Sequence, residues 1–142
     1  MRRLAEGRGL PAGRTADARR LLAHALAGED RVLVLGPAGV VRQALPTAAL
    51  DVAGTNPHQR DVTVVSAAEG EGSLPRRWRC VVVTDADPAP GRLRAAAGAA
   101  VPGGALVVVG PAADRVVDLP GTRLERTARR GSVQVVTAQV VP

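Results

Sequence analysis

The chain has 142 residues, a length suited to one domain that removes roughly two-thirds of its unfolded surface from water. Its apolar fraction of 46% is built mainly from Ala, Val and Leu with a single aromatic residue, Trp78, so it has no ring platform for stacking unpaired bases and nucleic acid is a disfavoured partner. The net charge is +6, and all 19 basic residues are Arg with no Lys; that reads first as coding bias with solvated guanidinium groups, and second as an anion-binding face.

Residues 1–13 are rich in Gly, Pro and Arg without periodicity and read as a flexible leader, leaving 14–142 as the folded domain. A helix is predicted from Thr15, with Thr15 as cap and Asp17 in the first turn. Ala18, Leu21, Leu22, Ala25 and Leu26 share one face, and Gly28 ends the helix. The apolar runs that follow are continuous in Val rather than alternating, as in strands buried on both faces of a parallel sheet. The first is Val32–Leu35. A Gly-Pro-Ala-Gly turn, Gly36 to Gly39, leads to a short helix over Val40–Leu45 that Pro46 breaks. Ala49–Gly54 and Val62–Val65 make the second and third strands, and Cys80–Thr84 the fourth after a polar loop. Gly91–Ala100 fits a helix, Pro102, Gly103 and Gly104 terminate it, and Ala105–Val109 is the fifth strand. Thr122–Thr127 and Val133–Val140, split by Ala128, Arg129, Arg130 and Gly131, form an antiparallel hairpin at one sheet edge. The expected fold is an α/β, three-layer, Rossmann-like open sheet, parallel except for that hairpin.

Several chemistries are disfavoured. His24 and His58 have no Cys, His or acidic neighbours at ligand spacing, so no metal site is expected. The single Cys80 has no disulfide partner and sits in an apolar run, where it reads as a small core residue rather than a nucleophile. No apolar stretch approaches the ~20 residues of a membrane span, and the Arg-rich start lacks a secretory core, so no membrane association and a cytoplasmic location are the expectations. Trp78, beside Arg76, Arg77 and Arg79, is either half-buried under a guanidinium or part of a partner surface.

In an open parallel sheet, ligands bind beyond the carboxyl ends of the strands, near the point where strand order reverses. Gly36 to Gly39, Thr55–Asn56, Ala67 to Glu69, and Thr84 to Asp87 would converge there. Gly36 and Gly39 allow a close backbone approach, and Asn56 stands where a ribose-binding side chain is expected. Asp85, at the end of the fourth strand, is the candidate general base; its alternative role is to bond turn amides ahead of Pro88.

These segments resemble the class I S-adenosylmethionine-dependent methyltransferases. Leu93 to Val109 is similar to that family's helix, Pro-Gly-Gly turn and fifth strand, and Trp78 to Val83 to its aromatic-acid-Val entry into the fourth strand, with Arg79 in the acid's place. Val32 to Gly39 resembles the first family motif, with Val34 for the acid, Ala38 for the middle glycine and Val40 for the last; Val52 to Pro57 resembles the second, with Asn56 for the ribose acid. The helix between the second and third strands is expected to be missing. The resemblance implies S-adenosylmethionine as cofactor, with Gly36, Pro37, Ala38 and Gly39 around its methionine moiety, Asn56 on the ribose, Glu69 near the adenine, Thr84 at the pocket and Asp85 facing a small-molecule substrate. The substituted motifs equally suit a non-catalytic pseudoenzyme scaffold that acts through a protein partner or as a homodimer. Nucleic acid would have to be held by Arg14, Arg19, Arg20 and the Arg76 to Arg79 cluster.

Overall fold

The computed structural model describes residues 12–53, 62–65, 74–84, 90–110 and 119–141. Three helices, α1 (Ala12–Ala25), α2 (Gly39–Ala44) and α3 (Pro90–Ala99), pack on strands β1 (Arg31–Leu35), β2 (Ala49–Ala53), β3 (Val62–Val65), β4 (Trp78–Val83), β5 (Ala100–Val109), β6 (Thr122–Arg130) and β7 (Val133–Val140). The strands form one sheet in the order β3-β2-β1-β4-β5-β7-β6. The first five are parallel, and β7 pairs antiparallel with both β5 and β6. This is the expected architecture.

The Val runs are buried on both sides, for the reason expected of a parallel sheet. Val32, Val34, Leu50, Val52, Cys80 and Val82 face Ala18 and Leu22 of α1, Leu26 just after it, and Val41 of α2. Leu33, Leu35, Val81, Val83, Leu106 and Val108 point the other way, toward Leu93 and Ala96 of α3.

Four boundaries differ from expectation. Helix α1 starts at Ala12 rather than Thr15, so Thr15 lies inside the helix rather than ahead of it, and Asp17 is beyond the first turn. Its free carboxylate instead meets Arg130 at 3.3 Å and ties α1 to the β6–β7 hairpin. The hairpin turn is shorter than predicted, because Ala128, Arg129 and Arg130 continue β6 and Gly131, at φ +60, makes the reversal. Strand β4 begins at Trp78, ahead of Cys80.

The fourth difference is β5, which starts at Ala100 directly after α3 and carries Pro102, Gly103 and Gly104 within it. The register runs Trp78 to Ala100 and then Cys80 to Ala105, so the four residues Val101 to Gly104 stand opposite Arg79 alone, and the three lie in a bulge rather than a separate turn. A Cβ on Gly104 would lie 2.9 Å from the carbonyl oxygens of both Arg79 and Val101, and this close approach is why glycine stands there.

Edge strand β6 exposes Arg123, Arg126, Arg129 and Arg130, charges that discourage another chain from adding to the sheet. Among the described residues no helix is long and apolar enough to cross a membrane.

Candidate functional site

Strand order reverses between β1 and β4, whose neighbours run outward in opposite directions. At the carboxyl ends of this pair, the Thr84 amide donates to the Leu35 carbonyl at 2.9 Å. The Thr84 hydroxyl donates to the Pro37 carbonyl at 2.7 Å. These bonds hold the Gly36–Gly39 turn against β4. Gly36 has φ +112, a conformation that a side chain would strain, and it lets β1 turn sharply away from the sheet.

The turn borders a cavity of about 210 Å³ lined by Pro37, Gly39, Val40 and Gln43, with Thr84, Val109 and Thr15 closing its other sides. A Cβ on Gly39 would meet no atom within 4 Å, so packing does not demand glycine there. Its bare Cα leaves cavity space that a side chain would take. This suits a ligand that needs close backbone approach, and it is the feature by which the turn fits a nucleoside cofactor.

The substituted motif positions have local explanations. Ala38 sits at φ −92 and ψ −8, a right-handed conformation open to any residue, and its methyl is buried in the core. Its carbonyl accepts the first helical bond of α2, from the Arg42 amide at 2.9 Å. Val34 is fully buried against the helices of the α1 side, where an unpaired acid would be costly. Arg42 terminates α2 by donating from Nη1 to the carbonyls of Leu45 at 3.1 Å, Pro46 at 3.0 Å and Ala48 at 2.8 Å.

Of the expected site residues, Pro37, Gly39 and Thr84 line the cavity, whereas Gly36 shapes the turn and Ala38 faces the core. Thr84 is 5% exposed and its proton is committed to Pro37, so it offers a ligand only acceptor capacity. Asn56, Glu69 and Asp85 lie outside the described residues. Sequence reasoning missed the contributions of Gln43 and Val109 and the place of Thr15 on the cavity wall. The spacing of Thr15 before an apolar face had suggested only a cap.

At the opposite end of the sheet lies a cluster that was not anticipated. Asp51 of β2 is fully buried and accepts from Nη1 of Arg31 at 3.0 and 2.9 Å and from Nε1 of Trp78 at 2.7 Å. The Arg77 guanidinium lies over the Trp78 ring, 4.7 Å from its centroid. Trp78 is thus buried rather than half-buried, at 2% exposure, and its ring does not form a partner surface. The signal was the charge inside the run Ala-Leu-Asp-Val-Ala, since an acid on a buried strand requires partners.

Burial, and secondarily the nearby charge of Glu29, pushes the Cys80 thiol from 9.0 up to about 12, which leaves it protonated and unreactive as a nucleophile. Among the described residues no three His, Cys, Asp or Glu side chains are grouped to hold a metal ion.

No family profile and no curated protein sequence matches the chain. Solved structures do. The N-methyltransferase NodS from Bradyrhizobium japonicum aligns at 14% identity and TM-score 0.59, over 92% of this chain and 96% of its own. A chain in the complex between the Haloferax volcanii Trm112 methyltransferase activator and a methyltransferase aligns at 11% identity and TM-score 0.66, over 92% and 91%. The T. thermophilus 16S rRNA methyltransferase RsmC, in complex with AdoMet and guanosine, aligns at 22% identity and TM-score 0.61; 89% of this chain is covered, and it spans 39% of that protein.

Proposed function

We propose that this chain, which has the class I methyltransferase-like Rossmann fold, binds S-adenosylmethionine at the carboxyl edge of its sheet and transfers the methyl group to a small molecule. The observation that carries this reading is the cavity beside Gly39, at the β1/β4 reversal of a β3-β2-β1-β4-β5-β7-β6 sheet. The structural neighbours support it, RsmC with AdoMet bound among them. In this reading the Gly36–Gly39 backbone holds the methionine end, Asn56 the ribose hydroxyls and Glu69 the adenine edge. Bound cofactor supplies an electrophilic methyl carbon on a sulfonium. The protein positions an acceptor in line with it, and Asp85 takes the proton that the acceptor loses.

Calorimetric titration with S-adenosylmethionine and S-adenosylhomocysteine tests this, with a ligand-dependent rise in melting temperature as the check. Saturable binding that weakens in Asn56→Ala is the expected result. Absence of binding at millimolar ligand overturns it.

A second reading follows from the cavity wall, which carries no charged side chain among its described residues and so lacks a counter-charge for a zwitterionic amino-acid end. In that reading the domain is a scaffold that works by self-association or through a protein partner, as the complex with the Trm112 activator illustrates for a neighbour. Light scattering across concentration separates the two: an obligate dimer that ignores the cofactor favours the scaffold.

A further inference from the structure

Two cavities adjoin where α1 passes α2. The inner one, of about 210 Å³, is neutral. The outer one, of about 580 Å³, is lined by Thr15, Ala16, Arg19 and Gln43, and it shares Thr15 and Gln43 with the inner. Thr15 and Arg19 are four residues apart on α1, so both project from the same helix face, on which the cleft opens. Arg19 is exposed and makes no ion pair or hydrogen bond among the described residues. Arg42 is engaged on the carbonyls that end α2 and Arg130 on Asp17, while Arg20, exposed on the same helix, lines neither cavity.

The pair of cavities therefore has a polarity. A neutral chamber bordered by the glycine turn opens into a roomier polar cleft whose only charged side chain, among its described lining, is an unpaired guanidinium. The outer cleft is an open depression whose volume lies within the range of small-molecule sites. The planar fork of Arg matches a carboxylate with two parallel hydrogen bonds, and Gln43 and Thr15 add neutral polar groups beside it.

We propose that the outer cleft is the acceptor subsite and that Arg19 selects small methyl acceptors bearing a carboxylate. This rests on the methyl-transfer reading above, and its test separates the two. The isotope-labelled full chain is titrated by NMR with benzoate and with its neutral counterpart benzamide, each alone and with S-adenosylhomocysteine present.

The expected result is saturable benzoate-induced shifts at the amides of Thr15, Ala16, Arg19 and Gln43, with little response to benzamide. Arg19→Gln should weaken benzoate binding by about tenfold or more while S-adenosylhomocysteine affinity stays unchanged. Equal responses to the two probes, or benzoate binding indifferent to Arg19→Gln, overturns the proposal. Loss of S-adenosylhomocysteine binding in Arg19→Gln also overturns it, since the guanidinium would then hold the cofactor's own carboxylate. Arg19-dependent benzoate binding in a protein that binds no S-adenosylhomocysteine would uphold the carboxylate site and overturn the methyl-transfer reading alone.

Discussion

The buried Asp51 cluster predicts an asymmetry between its two ionic partners. Asp51 is fully buried, whereas the Arg31 side chain is 55% exposed, so removing either leaves a different orphan. Arg31→Met strips the carboxylate of its counter-charge and leaves it only the Trp78 N–H. Breaking a buried pair in this way costs about 3–5 kcal/mol, and the partial exposure of Arg31 puts the expected cost near the low end, about 3 kcal/mol. Asp51→Asn keeps an oxygen for the Trp78 Nε1 proton at the position that now accepts at 2.7 Å, and it releases the guanidinium to water. The loss is then one charge-assisted interaction, about 1–1.5 kcal/mol. At roughly 4 °C per kcal/mol for a domain of this size, the melting temperature falls by about 12 °C in Arg31→Met and about 5 °C in Asp51→Asn. Urea unfolding followed by Trp78 emission and far-UV dichroism measures both, and an unchanged m value shows that stability rather than denatured-state compactness moved. The double variant should cost far less than the sum of the two singles, because the charge that Arg31→Met exposes is gone. If Arg31→Met were the milder variant, or cost below about 1 kcal/mol, Asp51 would be reaching water, and the reasoning from burial would be refuted.

Gly39→Ala should leave the melting temperature within a degree or two of the parent and weaken S-adenosylhomocysteine binding, because its Cβ would meet only cavity space; equal binding by calorimetry would remove the glycine turn from the site. Gly104→Ala should instead destabilise by about 1–3 kcal/mol in urea unfolding, since its Cβ would press on two carbonyl oxygens at 2.9 Å. Cys80 keeps its proton in the fold up to about 12 while the unfolded thiol releases it near 9.0, so the unfolded state binds fewer protons between those values. Stability therefore falls as pH rises through that window, by at most ~1.36 kcal/mol per pH unit, and Cys80→Ala should remove that component of the slope in urea titrations at two pH values inside it. Replacing Arg123 and Arg126 by Val should increase aggregation in light scattering without lowering the melting temperature by more than a few degrees, because those side chains guard an edge strand rather than fill the core.

The sheet was legible because a parallel strand buried on both faces has one simple signature, a Val- and Leu-rich run, and β1 and the ends of β4 and β5 carry it with little interruption. The features that escaped are those in which tertiary contact overrides local chemistry. Thr15 looked like a cap because Ser and Thr favour that position, yet the helix already runs through it from Ala12. Pro102, Gly103 and Gly104 read as a helix stop, and Pro102 and Gly103 do interrupt regular pairing. What local sequence does not reveal is that Ala100 pairs with Trp78 before the interruption, so the three residues lie in a bulge inside one strand.

The site divides along the same line. The glycine turn announced itself because backbone conformation is written locally: Gly36 at φ +112 tolerates no ordinary side chain, and Gly39 marks a spot that packing leaves open. The substitutions around it looked like decay against a family pattern, and the structure separates them by cause. Ala38 costs the turn nothing, since its backbone is right-handed and its methyl fills core space. Val34 is fully buried in the core on the α1 side and serves packing, and it is not among the residues lining the cavity. The cavity beside the turn is neutral among its described residues, and the adjoining cleft carries Arg19 of α1. A carboxylate entering the outer cleft would find there the only charge that the described walls of the two cavities provide.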